Sequence, residues 1–213
     1  MYQYIFFDLD GTLTDPGMGI TNSVAYALDH QNIKVEDRTE LYRFIGPPLV
    51  ESFMEYYGFT REEAEEELRL YREYFAPKGI FENEMYPGIP DLLQKLKADG
   101  KTLILATSKP DQFSLRILEH FGLDKYFDFC ACATMDEKRN TKPDVIRYGL
   151  ESMQITDIGS CLMIGDREQD ITGAKANGMD SLGVLYGYGS REELENAGAT
   201  YIAESVEEIL KFI

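Results

Sequence analysis

The sequence predicts an α/β fold, a doubly wound parallel sheet, with an all-helical segment inserted near its amino end. Three observations carry this. Short apolar runs recur along the chain and end abruptly at polar residues. Amphipathic helical patterns separate most of these runs, the alternation expected of parallel β/α units. Residues 16–81 break the alternation, with helical periodicity and no strand pattern.

Tyr4–Phe7 is the first apolar run, and it stops at Asp8-Leu9-Asp10-Gly11-Thr12. It reads as a buried strand feeding a tight turn. Residues 102–106, 127–133, 161–164 and 181–185 read as further strands. Between them, Ile89–Ala98 places Leu92, Leu93 and Leu96 on one face, and Asp111–Phe121 places Phe113, Ile117 and Phe121 at four-residue steps. Residues 144–153 and 171–177 follow the same pattern, with Gly178 as a helix stop. Tyr201–Ala203 and residues 206–212 complete the chain as a short strand and a closing helix.

The insert is expected to span residues 16–81, with residues 1–15 and 82–213 forming the α/β core. Ile20, Val24 and Leu28 share one helical face; Leu68, Tyr71 and Phe75 share another. Ile45-Gly46-Pro47-Pro48-Leu49 reads as a turn between helices. The acidic run 62–67 reads as a solvated helix face. No internal repeat is evident. Two histidines, His30 and His120, fall in helical patterns without partner spacing and read as surface or capping residues.

Composition narrows the function. The 213 residues carry 21 basic and 38 acidic side chains, a net charge of −17. Such a surface repels nucleic-acid backbones and anionic membranes, so neither is an expected partner. No run approaches the roughly 18 apolar residues of a membrane span. The first eight residues lack the basic region of a signal peptide. With three cysteines and no sign of secretion, a cytoplasmic location is expected. Cys130 and Cys132 share a strand face, Cys161 lies on another strand, and all three read as small buried apolar residues.

Four strand-end signals carry chemistry. Asp8 and Asp10 are two apart, so on a strand they share a face while Leu9 enters the core. Thr107 and Ser108 end a strand just before Lys109-Pro110, where hydroxyls and free amides suit a phosphate oxygen or a simple helix cap. Lys142-Pro143 opens another helix and places an ammonium beside its free amides. Asp166 and Asp170 stand four apart at the start of a further helix and can converge on one point. Oxygen ligands without histidines select Mg²⁺ over Zn²⁺. Open α/β sheets place their sites at these carboxyl ends. The set suits phosphoryl transfer through an aspartyl-phosphate.

These motifs, in this order over nearly the whole chain, resemble the haloacid dehalogenase superfamily. The similarity is to its Rossmann-like phosphatase branch with a helical cap inserted after the first motif. Tyr86-Pro87-Gly88 and Gly165-Asp166-Arg167 resemble the phosphoglycolate-phosphatase-like and 5′-nucleotidase-like members.

The resemblance implies that Asp8 is the nucleophile and Asp10 the general acid and base. It implies Mg²⁺ held by Asp8, the backbone carbonyl of Asp10, and Asp166, with Asp170 acting through water. Thr107, Ser108 and Lys142 would hold the transferring oxygens, and the cap would close over the substrate. The third motif, Thr141-Lys142-Pro143, lacks the glycine that often precedes the lysine, and Lys109 and Lys138 are alternatives to Lys142. The implied activity is Mg²⁺-dependent hydrolysis of a small phosphorylated metabolite, phosphoglycolate-like or a nucleoside 5′-monophosphate, by a monomer or weak dimer. A phosphomutase of the beta-phosphoglucomutase type and a non-catalytic phospholigand-binding protein are the alternatives. Gly187-Tyr188-Gly189 lacks a full glycine-rich fingerprint and reads as a plain loop. Arg167 could approach the site or, before Glu168, form a surface ion pair.

Overall fold

The computed structural model describes residues 1–136 and 138–213. The chain divides into two compact units, Met1–Thr14 with Met85–Ile213, and Asp15–Glu84.

The first unit is built on six parallel strands: β1 (Tyr4–Phe7), β4 (Thr102–Pro110), β5 (Phe129–Ala133), β6 (Cys161–Gly165), β7 (Asp180–Val184) and β8 (Tyr201–Ala203). Strands β2 (Thr14–Asp15) and β3 (Glu84–Met85) form a separate two-stranded sheet. The large sheet runs in the order β5-β4-β1-β6-β7-β8. Phe7 lies level with Leu105 on one side and Ile164 on the other. From β1 the chain builds outward through β4 and β5, then returns to the opposite side of β1 for β6. That reversal makes the carboxyl ends of β1, β4 and β6 the switch point where an open α/β sheet leaves a crevice.

Helices α4 (Ile89–Ala98), α5 (Asp111–Phe121), α6 (Lys142–Ser152), α7 (Glu168–Ala176) and α8 (Arg191–Ala197) connect the strands. Phe6, Ile104, Ala131 and Met163 from four strands pack with Ile146 and Ala174 from α6 and α7 in one buried cluster. The expected closing helix is a 3₁₀ segment, Glu207–Lys211, which buries Ile209.

The second unit contains α1 (Gly17–His30), a 3₁₀ turn at Arg38–Phe44, α2 (Leu49–Tyr57) and α3 (Arg61–Phe75). Thr60 caps α3 through a reciprocal box with Glu63: Glu63 Oε2 accepts from Thr60 N at 2.8 Å, and Thr60 Oγ1 accepts from Glu63 N at 3.3 Å. Phe44 packs against Phe53 and Tyr56 in an aromatic core. The acidic run before Leu68 is not uniformly solvated: Glu67 is fully buried. It falls on the same face as Ala64, Leu68 and Tyr71, and that face is turned inward by its apolar members. His30 and His120 are both exposed.

Candidate active site

The turn after β1 is closed by its own backbone. Leu13 N donates to Leu9 O at 2.9 Å, and Gly11 N to Thr14 O at 2.8 Å. Asp8 N still pairs with Ile164 O at 2.9 Å, so Asp8 is the last residue tied to the sheet on that side. Its carboxylate is buried.

Lys142 opens α6, and its side chain is withdrawn from solvent at 4 % exposure. The three N–H groups of its ammonium face three oxygens: Asp8 Oδ1 at 2.7 Å, Asp170 Oδ1 at 2.8 Å and Ala106 O at 3.1 Å. Burial disfavours the charged lysine, but Asp170 and Asp8 outweigh it and hold the group above its usual value.

The two acids at the end of β6 are fully buried. Asp170 Oδ2 accepts from Arg167 N at 3.1 Å, and Asp166 Oδ2 accepts from Tyr188 N at 2.8 Å. Burial, with Asp170 and Asp8 nearby, raises the Asp166 carboxyl well above the carboxylate range. Burial also pushes Asp170 up to about 6, against the opposing pull of Lys142.

Asp8, Asp166 and Asp170 each offer an oxygen within 4.8 Å of the others. The Lys142 ammonium pairs with Asp8 and Asp170, so when all three carboxyls are ionised the group carries surplus negative charge. Asp8 Oδ1 and Asp170 Oδ1 meet Lys142 as ion pairs without a well-aligned hydrogen bond. A compact, oxygen-only donor set with surplus negative charge fits a hard divalent cation.

Asp10 stands apart from this group. Its Oδ2 is paired with the Lys109 ammonium, while its Oδ1 accepts no hydrogen bond. Burial raises the Asp10 carboxyl, and Lys109 opposes the rise. Thr107 and Ser108 lie at the carboxyl end of β4, Thr107 buried and Ser108 half-buried. Thr107 Oγ1 accepts from Lys109 N at 3.2 Å. Of the three candidate lysines, Lys142 meets Asp8, Lys109 meets Asp10, and Lys138 pairs with Asp136 at the surface.

Arg167 forms a largely shielded pair with Glu193 at 2.8 Å, not a surface pair. Glu193 and Tyr188 carry no signal in the sequence alone. Each sits on a later element, and only the fold brings it to the β6 loop.

A sheet switch point lined with buried acids and an ammonium belongs to an open α/β fold with its candidate site at the carboxyl ends of the strands. Residues 5–184 match the family model described as haloacid dehalogenase-like hydrolase, and the chain belongs to that family. It is 46% identical over 193 residues to a 5′-nucleotidase of Pseudomonas aeruginosa, covering 91% of this chain and 87% of that protein. It is 35% identical over 203 residues to a protein of Mycobacterium tuberculosis named tyrosine-protein kinase PtkA, covering 95% of this chain and 69% of that one. A crystal structure described as a predicted phosphatase from Clostridium acetobutylicum superposes with a TM-score of 0.97 at 53% identity, covering 100% of this chain and 98% of that one. The chain is a phosphatase, and phosphatase substrates are small phosphorylated compounds. Among the described residues, no helix is long and apolar enough to cross a membrane.

Proposed function

We propose that the protein is a Mg²⁺-dependent phosphatase that hydrolyses a nucleoside 5′-monophosphate through an aspartyl-phosphate on Asp8. The observation that carries this reading is Lys142 joining Asp8 and Asp170 beside Asp166. It brings the Asp8 carboxylate, the Lys142 ammonium and two further acids together, which supports Asp8 as a nucleophile beside a divalent-ion donor set. The choice of a nucleotide over phosphoglycolate rests on the relative named 5′-nucleotidase.

Asp8 attacks phosphorus with one carboxylate oxygen, and the substrate's ester oxygen leaves with the bonding pair. Asp10 gives that oxygen its proton. The resulting carboxylate then takes a proton from water, which attacks the aspartyl-phosphate and releases inorganic phosphate and free Asp8. Lys142, Thr107 and Ser108 hold the non-bridging oxygens. Asp8, Asp166 and the backbone carbonyl of Asp10 would hold Mg²⁺, with Asp170 behind them. When bound, the ion offsets the charge of bringing a carboxylate to a phosphate dianion.

The test is phosphate release from nucleoside 5′-monophosphates, phosphoglycolate and sugar phosphates with Mg²⁺, compared by kcat/KM, together with acid-quench trapping of phosphoprotein. Asp8→Asn is expected to abolish turnover and trapping. An Asp8→Asn protein that still turns over, with deamidation back to Asp excluded, sinks the covalent route. Isomerised sugar phosphate without free phosphate points instead to a mutase.

A further inference from the structure

The Tyr186–Gly189 segment, of which Gly187-Tyr188-Gly189 reads as a plain loop in sequence, packs against Asp166. Tyr188 N donates to Asp166 Oδ2 at 2.8 Å. The Tyr186 hydroxyl donates to Thr12 O at 3.0 Å, tying the loop to the turn after β1. Gly187 lies so close to Gly11 O and to the Asp166 side chain that a methyl group would run into both. Gly189 is pressed in the same way onto the backbone carbonyl of Asp166. Thr12 Oγ1 in turn donates to Asp166 Oδ1 at 3.2 Å.

Both Asp166 oxygens are therefore held by fixed donors. An ionised carboxylate has about four lone-pair sites, so each oxygen keeps the capacity for another partner. The far end of the loop is also anchored. Ser190 caps α8, with its Oγ accepting from Glu193 N at 3.0 Å. Glu193 Oε1 accepts from Arg167 Nε at 2.8 Å and from Glu168 N at 2.9 Å. The loop and the start of α8 thus grip residues 166–168.

We propose that the Tyr186–Gly189 loop is a positioning clasp for the metal site, fixing the Asp166 carboxylate in its ligating orientation through Tyr188 N–H and Thr12. The two glycines serve close approach: only a residue without Cβ lets the Tyr188 amide reach a buried carboxylate across the turn. A side chain held by preset hydrogen bonds loses little freedom when a cation arrives, and such outer partners typically command about 10–100-fold in metal affinity. The clasp rests on the metal-dependent reading above, and it concerns affinity for the ion, not the chemical step.

Mn²⁺ and Mg²⁺ binding to the metal-stripped protein, without substrate, tests it by calorimetry and by the Mn²⁺ electron paramagnetic resonance line shape. Gly187→Ala should weaken binding by about 10-fold or more and change the line shape. The Mg²⁺ concentration for half-maximal activity should rise while kcat at saturating Mg²⁺ holds. Tyr186→Phe removes only the hydroxyl that ties the loop to Thr12, and should weaken binding several-fold. It becomes the deciding variant if Gly187→Ala does not fold. A folded variant of either kind with unchanged affinity and line shape overturns the clasp, as does a lost kcat with affinity intact. A wild-type protein that takes up no divalent ion overturns the metal-dependent reading, and the clasp with it.

Discussion

The Lys109 ammonium is paired with Asp10 Oδ2, both side chains buried, while Lys142 joins Asp8 to Asp170. The two carboxylates of the β1 turn thus have different cations and different surroundings. Asp8 shares its lysine with the acidic group that fits a metal ion, whereas Asp10 has Lys109. Unequal environments are what separate the roles of two nearby acids.

Replacing Lys109 should move the pH profile. Burial raises the Asp10 carboxyl, and the Lys109 ammonium pulls it back down. In the proposed mechanism Asp10 must hold a proton when the leaving group departs, so kcat/KM falls on the alkaline side as Asp10 ionises. Lys109→Met removes the opposing charge, and the alkaline limb should shift to higher pH. Lys109→Arg keeps the charge and should leave the limb nearer its place. A profile unmoved by Lys109→Met would show that another group sets that limb.

Metal removal should expose a pH-dependent instability. Asp166 is raised well above its usual range, and Asp170 is pushed up to about 6, both mainly by burial. Unfolded aspartates titrate near about 3.9. The native protein therefore keeps protons that the unfolded chain has released, and stability falls as pH rises from about 4 through the folded values. In EDTA, Tm should be lower at pH 8 than at pH 5.5. Mg²⁺ at about 100 times its Kd adds roughly 2.7 kcal/mol, and this benefit should widen with pH because the ion displaces protons from its ligands. Parallel curves with and without Mg²⁺ would contradict the surplus-charge account of the site.

Lys142→Met tests the other cation. It leaves Asp8 and Asp170 buried without their partner, and breaking a buried pair in this way costs about 3–5 kcal/mol. Turnover should be lost. Mg²⁺ should raise Tm by more in the variant than in the wild type, because the remaining carboxylates have only the ion to offset them. An equal or smaller Mg²⁺ effect would mean that the acids adjust by taking up protons instead.

Much of the core architecture is legible in the sequence because β1 and β6 end where their apolar runs end, whereas β4 continues past its apolar run to Pro110. Tyr4–Phe7 into Asp8 and Cys161–Gly165 into Asp166 show it most plainly, and both flank the sheet's switch point. Local spacing places the polar residues at strand ends but not their partners. The sequence favours Lys142 with Lys109 and Lys138 as alternatives, and the packing of β4, α6 and the β1 turn distributes the three among Asp8, Asp10 and Asp136. The Tyr186–Gly189 loop is hidden for the same reason. Its contacts are made by a backbone amide and by the absence of side chains, neither of which has a residue-type signature. Charge patterning misleads at Glu67, where a run of acids suggests solvent and the apolar residues around it turn the face inward.

The burial of Glu67 leads to a stability prediction for the helical unit. Glu67 lies on the buried face of α3 with Ala64, Leu68 and Tyr71. Its Oε1 accepts from Gln31 Nε2 at 2.9 Å, and its Oε2 accepts no hydrogen bond. Burial raises the carboxyl above its ordinary value, with the Gln31 hydrogen bond and His30 opposing. The native state therefore holds the proton to higher pH than the unfolded chain does, and the cost of the buried charge is fully present above the folded value. Glu67→Gln keeps the shape and removes the charge, so it should raise Tm at pH 8 by a few degrees, on the order of 1 kcal/mol for a chain of this length. The gain should shrink toward pH 5, where the wild-type carboxyl is increasingly protonated. Thermal denaturation of both proteins at the two pH values checks this. A variant less stable than wild type at pH 8 would mean that the carboxylate is held by a partner that glutamine cannot replace.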